Sequence, residues 1–320
     1  MQAYQGLGRC HVDRVRGETW VISDRTRLAA MFFELKVISC HYSAMDLIQL
    51  LVLMTCAATI TTADTNPRGY PVQIPPSCGI SFIAYPTASI SGPVTCASTV
   101  PTPSSNARLR IEGNDGTIFE DCIAAGPREI ITPTSGGAHI CDGTNNGANS
   151  SPGTVPTAQL DAAAALTGFD YDGDWYPDFE DFLITRIESS AQTDTQFWGI
   201  LVNGQYTPTG GCQFEVGTGD ETLFAFDAFN KDVFLKVEPE YAVAEAGRGV
   251  VNVTITDAMT GEPQAGVAFG GLVTGADGSV DLPVPDTSGC YRFKATRNGA
   301  LRSNTFYLTV VSIFGDLLSP

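Results

Sequence analysis

Positive charge is scarce in this chain. Lys and Arg total 18 against 35 Asp and Glu, a formal net charge of −17, and a surface of that sign repels phosphate backbones and anionic lipid headgroups. Nucleic acid is therefore not the expected partner. Charge of either sign makes up only 17% of the 320 residues, too little for a charge-rich disordered chain or a long coiled coil. Histidine is scarcer still: of three, only His139 follows Ala63, so a Ser-His-Asp or Cys-His scheme in that part must run through one loop residue. The part after Ala63 also has no P-loop, no GxGxxG after a strand, no GxSxG elbow and no CxxC pair. The common nucleotide, hydrolase, zinc and thioredoxin signatures are thereby missing.

An apolar run of membrane-spanning length is missing too. From Met45 the chain reads MDLIQLLVLMTCAATITTA, and its apolar stretch is shorter than the ~20 residues a bilayer crossing needs. Small residues end it and Asp64, Thr65 and Asn66 follow, the shape of a secretory signal over about 45–63, although Asp46 stands where a basic residue is usual. Residues 1–44 carry six basic residues and no periodic apolar pattern; 1–63 is read as an upstream extension plus signal, with Met31 or Met45 the working start. The expected location is outside the cell, with no membrane insertion of the mature form.

Cysteine use points the same way. Six of nine cysteines follow Ala63, namely Cys78, Cys96, Cys122, Cys141, Cys212 and Cys290, an even number suited to disulfides in an oxidising compartment. A local Cys78 to Cys96 bridge would constrain a poorly cored stretch; the alternative is that each pairs elsewhere. Asn149 and Asn252 head N-glycosylation sequons, Asn149 in a Gly/Asn/Ser/Pro loop and Asn252 in a predicted strand, so Asn149 is the better acceptor.

Glycine (33) and proline (19) are plentiful, and they punctuate the chain into short elements. Prolines crowd 64–105, which reads as an extended segment wrapped on its neighbour. In 106–231, ARLRIEGNDGTIFEDCIAA alternates about Gly113 to Gly116, a hairpin signal. PTAQLDAAAALTG predicts one helix, with Thr157 as N-cap and Gly168 as C-cap. FLITRI, QFWGILVNGQY, GCQFEV and ETLFAFDAF predict strands, Asn203-Gly204 being a turn. In 232–313, DVFLKVEP, GVVNVTITD, GVAFGGLVT, GSVDLPVP, CYRFKATR and NTFYLTVV predict six strands of an antiparallel sandwich, and 314–320 is a tail. The expected class is α+β followed by all-β, mainly β overall.

The order of FW, VNG, a Gly pair and GDE before an aromatic strand is carried by Phe197, Trp198, Val202, Asn203, Gly204, Gly210, Gly211, Gly219, Asp220 and Glu221. With the hairpin and the Ala-rich helix, it resembles the C-terminal β-domain of the transcobalamin family over about 107–229, roughly two-fifths of the chain. The resemblance implies a β-grasp-like sheet with one helix that covers a ligand. Transcobalamin's large helical domain has no counterpart here, so a ligand-covering role is implied and cobalamin is not. CDGTNN at 141–146 and GGCQ at 210–213 are similar to a predicted secreted fungal version, which implies a Cys141 to Cys212 bridge. TITDAMTGEPQAGVAF and TGADGSV are similar to immunoglobulin-like modules of surface proteins.

Candidate site residues are few. GFDYDGDWYPDFEDF holds Asp170, Asp172, Asp174, Asp178 and Asp181, oxygen donors within reach of a calcium ion. As an EF-hand loop it is partial: Trp175 takes the sixth, glycine position, and Asp181 the twelfth in place of a longer Glu. The competing reading is a solvated acidic turn after the helix. Tyr171, Trp175 and Tyr176 are candidates to stack on a sugar or other ligand while carboxylates accept its hydroxyl protons, whereas Phe169, Phe182 and Trp198 read as core. Phe179 could be core as well. No cofactor beyond calcium is expected. The reading is a secreted binding protein for an unknown extracellular ligand, glycan or surface protein; the alternatives are a structural surface protein without a pocket and, further off, a hydrolase.

Overall fold

The computed structural model describes residues 10–12, 38–40, 90–96 and 100–311. The signal at 45–63, Cys78, most of the Pro-rich segment and the 314–320 tail lie outside them. The chain divides into two units, Met1–Thr62 and Ala63–Pro320. In the first, β1 (Cys10–Val12) and β2 (Ile38–Cys40) form an antiparallel ladder with Cys10 opposite Cys40, a pairing the aperiodic sequence there does not signal. All that follows concerns the second unit, which is mainly β with a single α-helix among the described residues.

From the Pro-rich segment comes β3 (Ile90–Gly92). The predicted hairpin is β4 (Ser105–Glu112) and β5 (Thr117–Ala125), closed by Gly113 N–H donating to Gly116 O at 2.9 Å. A short ladder of β6 (Arg128–Ile130) and β7 (His139–Cys141) precedes α1 (Pro156–Thr167). Pro156 at the first helical position costs no hydrogen bond there. Gly168, at φ 89°, ends the helix and donates to Ala164 O, as expected of a C-cap. Thr157 is not the N-cap. That position is Val155, without a side-chain cap bond, and the Thr157 hydroxyl is buried with no partner among the described residues.

Next come β8 (Tyr171–Tyr176), β9 (Asp181–Ile187) and β10 (Ser190–Ala191), an antiparallel three-stranded sheet. β11 (Trp198–Val202) and β12 (Gln205–Tyr206) turn at Asn203-Gly204, both with positive φ as such a turn requires, and β13 (Glu221–Phe226) follows. GCQFEV, expected as a strand, is a turn and coil. The main sheet has the order β12-β11-β13-β4-β5, parallel between β13 and β4 and antiparallel elsewhere.

This sheet is buried on both faces. Leu109, Ile111 and Phe224 pack with Leu160 of α1, Ile187 and Trp198, and fully burying side chains of that size contributes roughly 1.5–3 kcal/mol each. Arg108, Arg110 and Glu112, alternating with them on β4, turn the other way. Their face meets the remaining strands: β14 (Val233–Glu238), β15 (Tyr241–Glu245), β16 (Val250–Asp257), β17 (Ala268–Phe269), β18 (Leu272–Val273), β19 (Ser279–Pro283), β20 (Gly289–Phe293), β21 (Ala300–Leu301) and β22 (Phe306–Val311). These build two four-stranded sheets, β19-β16-β14-β21 and β20-β22-β15-β3. Val237, Val253, Ile255, Phe269, Phe306 and Leu308 belong to the core between them. All six expected strand runs are present; β3, β15 and β21 are additional.

Charges close the seam between the regions. Arg108 reaches Glu240 at 2.5 Å and Glu120 at 3.3 Å; Lys294 reaches Glu112 at 2.5 Å and Glu120 at 2.8 Å; Arg302 reaches Glu112 at 2.9 Å. Glu221 adds longer contacts to Arg108 and Arg110. Burial on its own would raise the Glu120 pKa, but Lys294, Arg110 and the Thr305 N–H outweigh it and hold the carboxyl below its ordinary value. Cys96 bonds to Cys122 on β5, correcting the local Cys78 to Cys96 bridge, and Cys290 is disulfide-bonded too. The extended segment is thus fixed at two places, by β3 on β15 and by a disulfide on β5.

Candidate functional site

The candidate site forms where three loops meet. After β8 the chain turns through Pro177–Glu180, with Glu180 at φ 47°, and enters β9 at Asp181. The turn throws Phe179 outward, 67% exposed. Asp181 opposes Tyr176 in the β8–β9 ladder, so the two side chains share a face. Tyr176 is 44% exposed while Asp181 is 9% exposed, because a second loop, 208–213, covers the carboxylate.

Asp181 Oδ1 accepts the N–H of Phe182 and of Cys212, each at 2.8 Å. Burial pushes the Asp181 pKa up to about 6, partly opposed by the amides of Cys212, Phe182 and Gly211. Oδ2 lies against Gly210, where an added Cβ would fall 1.1 Å from it. Only glycine fits that position without displacing the acid. Gln213, 7% exposed, donates its Nε2 to the carbonyls of Phe179 and Glu180 at 3.0 and 2.6 Å. Those bonds fix the amide's orientation, and its Oε1 is left buried without a partner among the described residues.

The third loop is CDGTNN. Asp142 Oδ1 accepts from the Thr144 N–H and hydroxyl, Gly143 N–H donates to Cys212 O at 3.0 Å, and Cys141 bonds to Cys212, the pair that the resemblance implies. Asn145 and Asn146 follow at φ 50° and 54°, a left-handed conformation that asparagine tolerates better than most residues. With Pro208 and Thr209 they complete an open cavity of about 370 Å³. Its polar lining residues are Asp181, Gln213, Asn145, Asn146 and Thr209, with Phe179 and Pro208 as the apolar ones.

The expected aromatic surface does not form as one. Tyr171 is buried, its hydroxyl donating to Asp161 at 2.8 Å, and burial followed by the Asp161 charge pushes its pKa upward. Trp175 is half-buried and stacks on His139 with ring centroids 4.3 Å apart and meets Phe182 edge-on. These two pack; Tyr176 and Phe179 face solvent. Phe182 and Trp198 are core, as expected.

The acidic run is neither an EF-hand loop nor a turn over its first half. Asp172 and Asp174 lie on extended β8, which spreads successive carboxylates along a line instead of wrapping them about a centre. Asp170 pairs with Arg186 at 3.1 Å, and that bond and charge hold its carboxyl below the usual range. Asp172 binds Thr134 and the Gly173 N–H; burial alone would raise its pKa, but hydrogen bonds from Thr134, Gly173 and Thr132 together hold it below the ordinary value. Asp178 is exposed, and among the described residues no three His, Cys, Asp or Glu gather to hold a metal. His139 Nε2 donates to Ser135 O at 3.0 Å, and Asp142 is engaged with Thr144 instead of with that ring.

The sequons sit differently from each other. Asn149 is half-buried and donates its Nδ2 to Gly143 O at 2.6 Å, whereas Asn252 is exposed on β16 and donates to Asp281 at 2.9 Å. Among the described residues no helix is long and apolar enough to cross a membrane. Compared with protein-family models and with curated proteins, the chain matches none.

Sequence reasoning put Asp181 in a metal loop and did not assign Gln213, Asn145, Asn146 or Thr209 to a site. One signal for them was present: CDGTNN and GGCQ are the Gly-rich and polar stretches joined by Cys141 and Cys212.

Proposed function

We propose that the chain is an exported, non-enzymatic binding protein whose 106–231 region holds a small polar ligand between the loops at 141–146, 177–181 and 208–213. The observation that carries this reading is the open cavity of about 370 Å³ that places the Asp181 carboxylate in one lining with the side chains of Asn145, Asn146 and Thr209. A ligand with hydrogen-bond donors and acceptors pairs with that set.

The transcobalamin-like assignment of 106–231, with its β-grasp-like sheet and one helix, belongs to the same proposal. It draws support from the way the motif residues serve one another: Asn203 Nδ2 donates to Asp220, and Glu221 N–H donates to Asn203 Oδ1. The Gly210-Gly211 pair is the wall over Asp181. For 232–313 the proposal is an immunoglobulin-like module, supported by two small sheets over one apolar core. Export is supported by the disulfides, which persist in oxidising compartments. A second reading, a structural surface protein, is favoured by the charged seam that joins the two regions.

Native mass spectrometry of the protein exported from a eukaryotic host tests the choice. A non-covalent adduct is expected that vanishes on denaturation and is absent from Gly210→Ala and Gln213→Leu. A bare mass in the parent protein, or an adduct that both variants retain, would move the assignment to the structural reading.

A further inference from the structure

We infer that Asn252 carries the N-linked glycan of this protein and that Asn149 is left bare, the reverse of what loop composition suggests; this rests on the export reading above. Both asparagines head sequons, so the choice between them falls to geometry.

The sequon Asn252-Val253-Thr254 lies inside β16, where alternate residues share a face. Val253 is fully buried in the core between the two small sheets, which turns Asn252 and Thr254 together to the other side. Asn252 is exposed there. Across the ladders it faces Asp281, while Thr254 faces Ser279 and Glu238. These neighbours are polar, so a hydrated sugar displaces no apolar contact among them. A carboxamide nitrogen has two hydrogens. Asn252 donates one to Asp281 Oδ1 at 2.9 Å, and a sugar takes the place of the other, so attachment leaves that bond intact.

Asn149 is used differently. It is half-buried, its Nδ2 donates to Gly143 O at 2.6 Å, and its own N–H donates to Thr144 O at 3.0 Å. Gly143 is buried and donates to Cys212 O. The Asn149 side chain is therefore a strut of the loop that supplies Asn145 and Asn146 to the cavity, and drawing its amide outward to seat a glycan breaks the strut. Pro152 also follows Ser151, the sequon's hydroxyl residue, and restricts its backbone in the unfolded chain that a transferase meets.

The donor is a polyprenyl-diphosphate oligosaccharide. A bond forms between the Asn252 amide nitrogen, which loses a proton, and C1 of the first sugar, while the C1–O bond breaks and its electron pair leaves with the diphosphate. The product places a hydrated chain on the solvent face of the β19-β16-β14-β21 sheet.

The test uses the full chain expressed in a eukaryotic host. Glycans are released by an amidase in heavy-oxygen water, which leaves each formerly glycosylated asparagine as a labelled aspartate, and the peptides are mapped by mass spectrometry. The label is expected at position 252 and absent from position 149. In intact-mass spectra the whole glycan mass should disappear in Asn252→Gln and in Thr254→Ala and stay unchanged in Asn149→Gln. Thr254→Ala keeps the asparagine and removes only the sequon's hydroxyl, and the parent's peptide map decides the question even where a variant is not exported. A label at 149, or glycan mass that persists in Asn252→Gln, would overturn the assignment. An exported chain labelled at neither position would overturn it and leave the export reading standing. A chain retained in the cell with 45–63 still attached and no label would overturn both.

Discussion

The two regions of the second unit solve the same packing problem in different ways. Along β16 and β19 burial alternates residue by residue, one face on the core and the other toward water. β4 is buried continuously from Asn106 to Glu112, because the five-stranded sheet is a middle layer. Its polar face cannot be solvated, so its charges pair across the seam. The backbones differ as well. Asn145, Asn146, Glu180, Glu188, Asn203 and Asp227 all hold positive φ and all lie in 106–231, whereas in 232–311 every described positive-φ residue is glycine. Three of the six belong to the cavity loops. Irregular backbone held by surrounding structure gathers where side chains are aimed at something, and the regular region shows what the chain does without that demand.

The seam is the sharpest place to break the comparison. Glu112 is fully buried and faces Lys294, Arg302 and Arg110. Removing one member of a buried pair typically costs about 3–5 kcal/mol, so Glu112→Ala should lower stability by about that much in urea unfolding. It should also split one transition into two, with α1 and the strands of 232–311 melting separately. A single transition shifted by under about 1 kcal/mol would show that the seam does not couple the regions.

Next in size is the cavity's covalent strap. Cys141 and Cys212 lie 71 residues apart, and opening a loop of that length is expected to cost about 4 kcal/mol by the chain-entropy argument. The Cys141→Ala/Cys212→Ala double variant should lose about 2–4 kcal/mol and lose protection of the 141–146 and 208–213 amides in hydrogen exchange. The amides of β16 should stay protected.

Within 106–231 two buried acids respond to pH with opposite sign, Asp181 at the cavity and Glu120 at the seam. Burial raises Asp181 from an ordinary 3.8 to about 6. The folded state therefore binds more protons than the unfolded state across that window, and the Asp181 contribution is fully present below 3.8 and lost as pH rises through 6. Glu120 is lowered from 4.5, so its contribution is present above 4.5 and lost as pH falls. Asp181→Asn should stabilise the protein by about 2 kcal/mol at pH 7 and change little at pH 4. Equal effects at both pH values would contradict a raised Asp181.

The smallest effect concerns Thr157. A lost N-cap costs about 1 kcal/mol, but the hydroxyl caps nothing and is buried unpaired. Thr157→Val should leave the melting temperature unchanged or slightly higher, and a drop of several degrees would restore the capping role.

Much of this fold is legible locally. Gly113 to Gly116, Asn203-Gly204 and Gly168 write their turns and cap in residues that accept positive φ or tight closure, and the six strand runs of 232–313 are short apolar or alternating stretches set between turns. β15 was not legible: Ala242 to Ala244 are buried without interruption, so Tyr241–Glu245 offers no alternation to read. The GCQFEV stretch looks like a strand, yet Gly210 and Gly211 approach Asp181 and Thr157 too closely for ladder pairing to decide its shape. Of the candidate site, Tyr176 and Asp181 were singled out from sequence, but with partners the fold did not supply. Tyr171 and Trp175 were spent on packing, since Asp161 and His139 come to them from elsewhere in the chain.

Composition and local pattern set the signs and periods: an acidic chain, short strands, one Ala-rich helix and cysteines even in number after Ala63. Those properties depend on neighbours within a few residues and on composition. It took the folded chain to turn the charges of RLRIE into a seam, to bring Cys96 to Cys122, and to seat Asp181 beneath Gly210 in one cavity lining with Gln213. Each of those depends on residues far apart in the chain, and burial assigns a charge its cost and its partner only after the fold has brought them together.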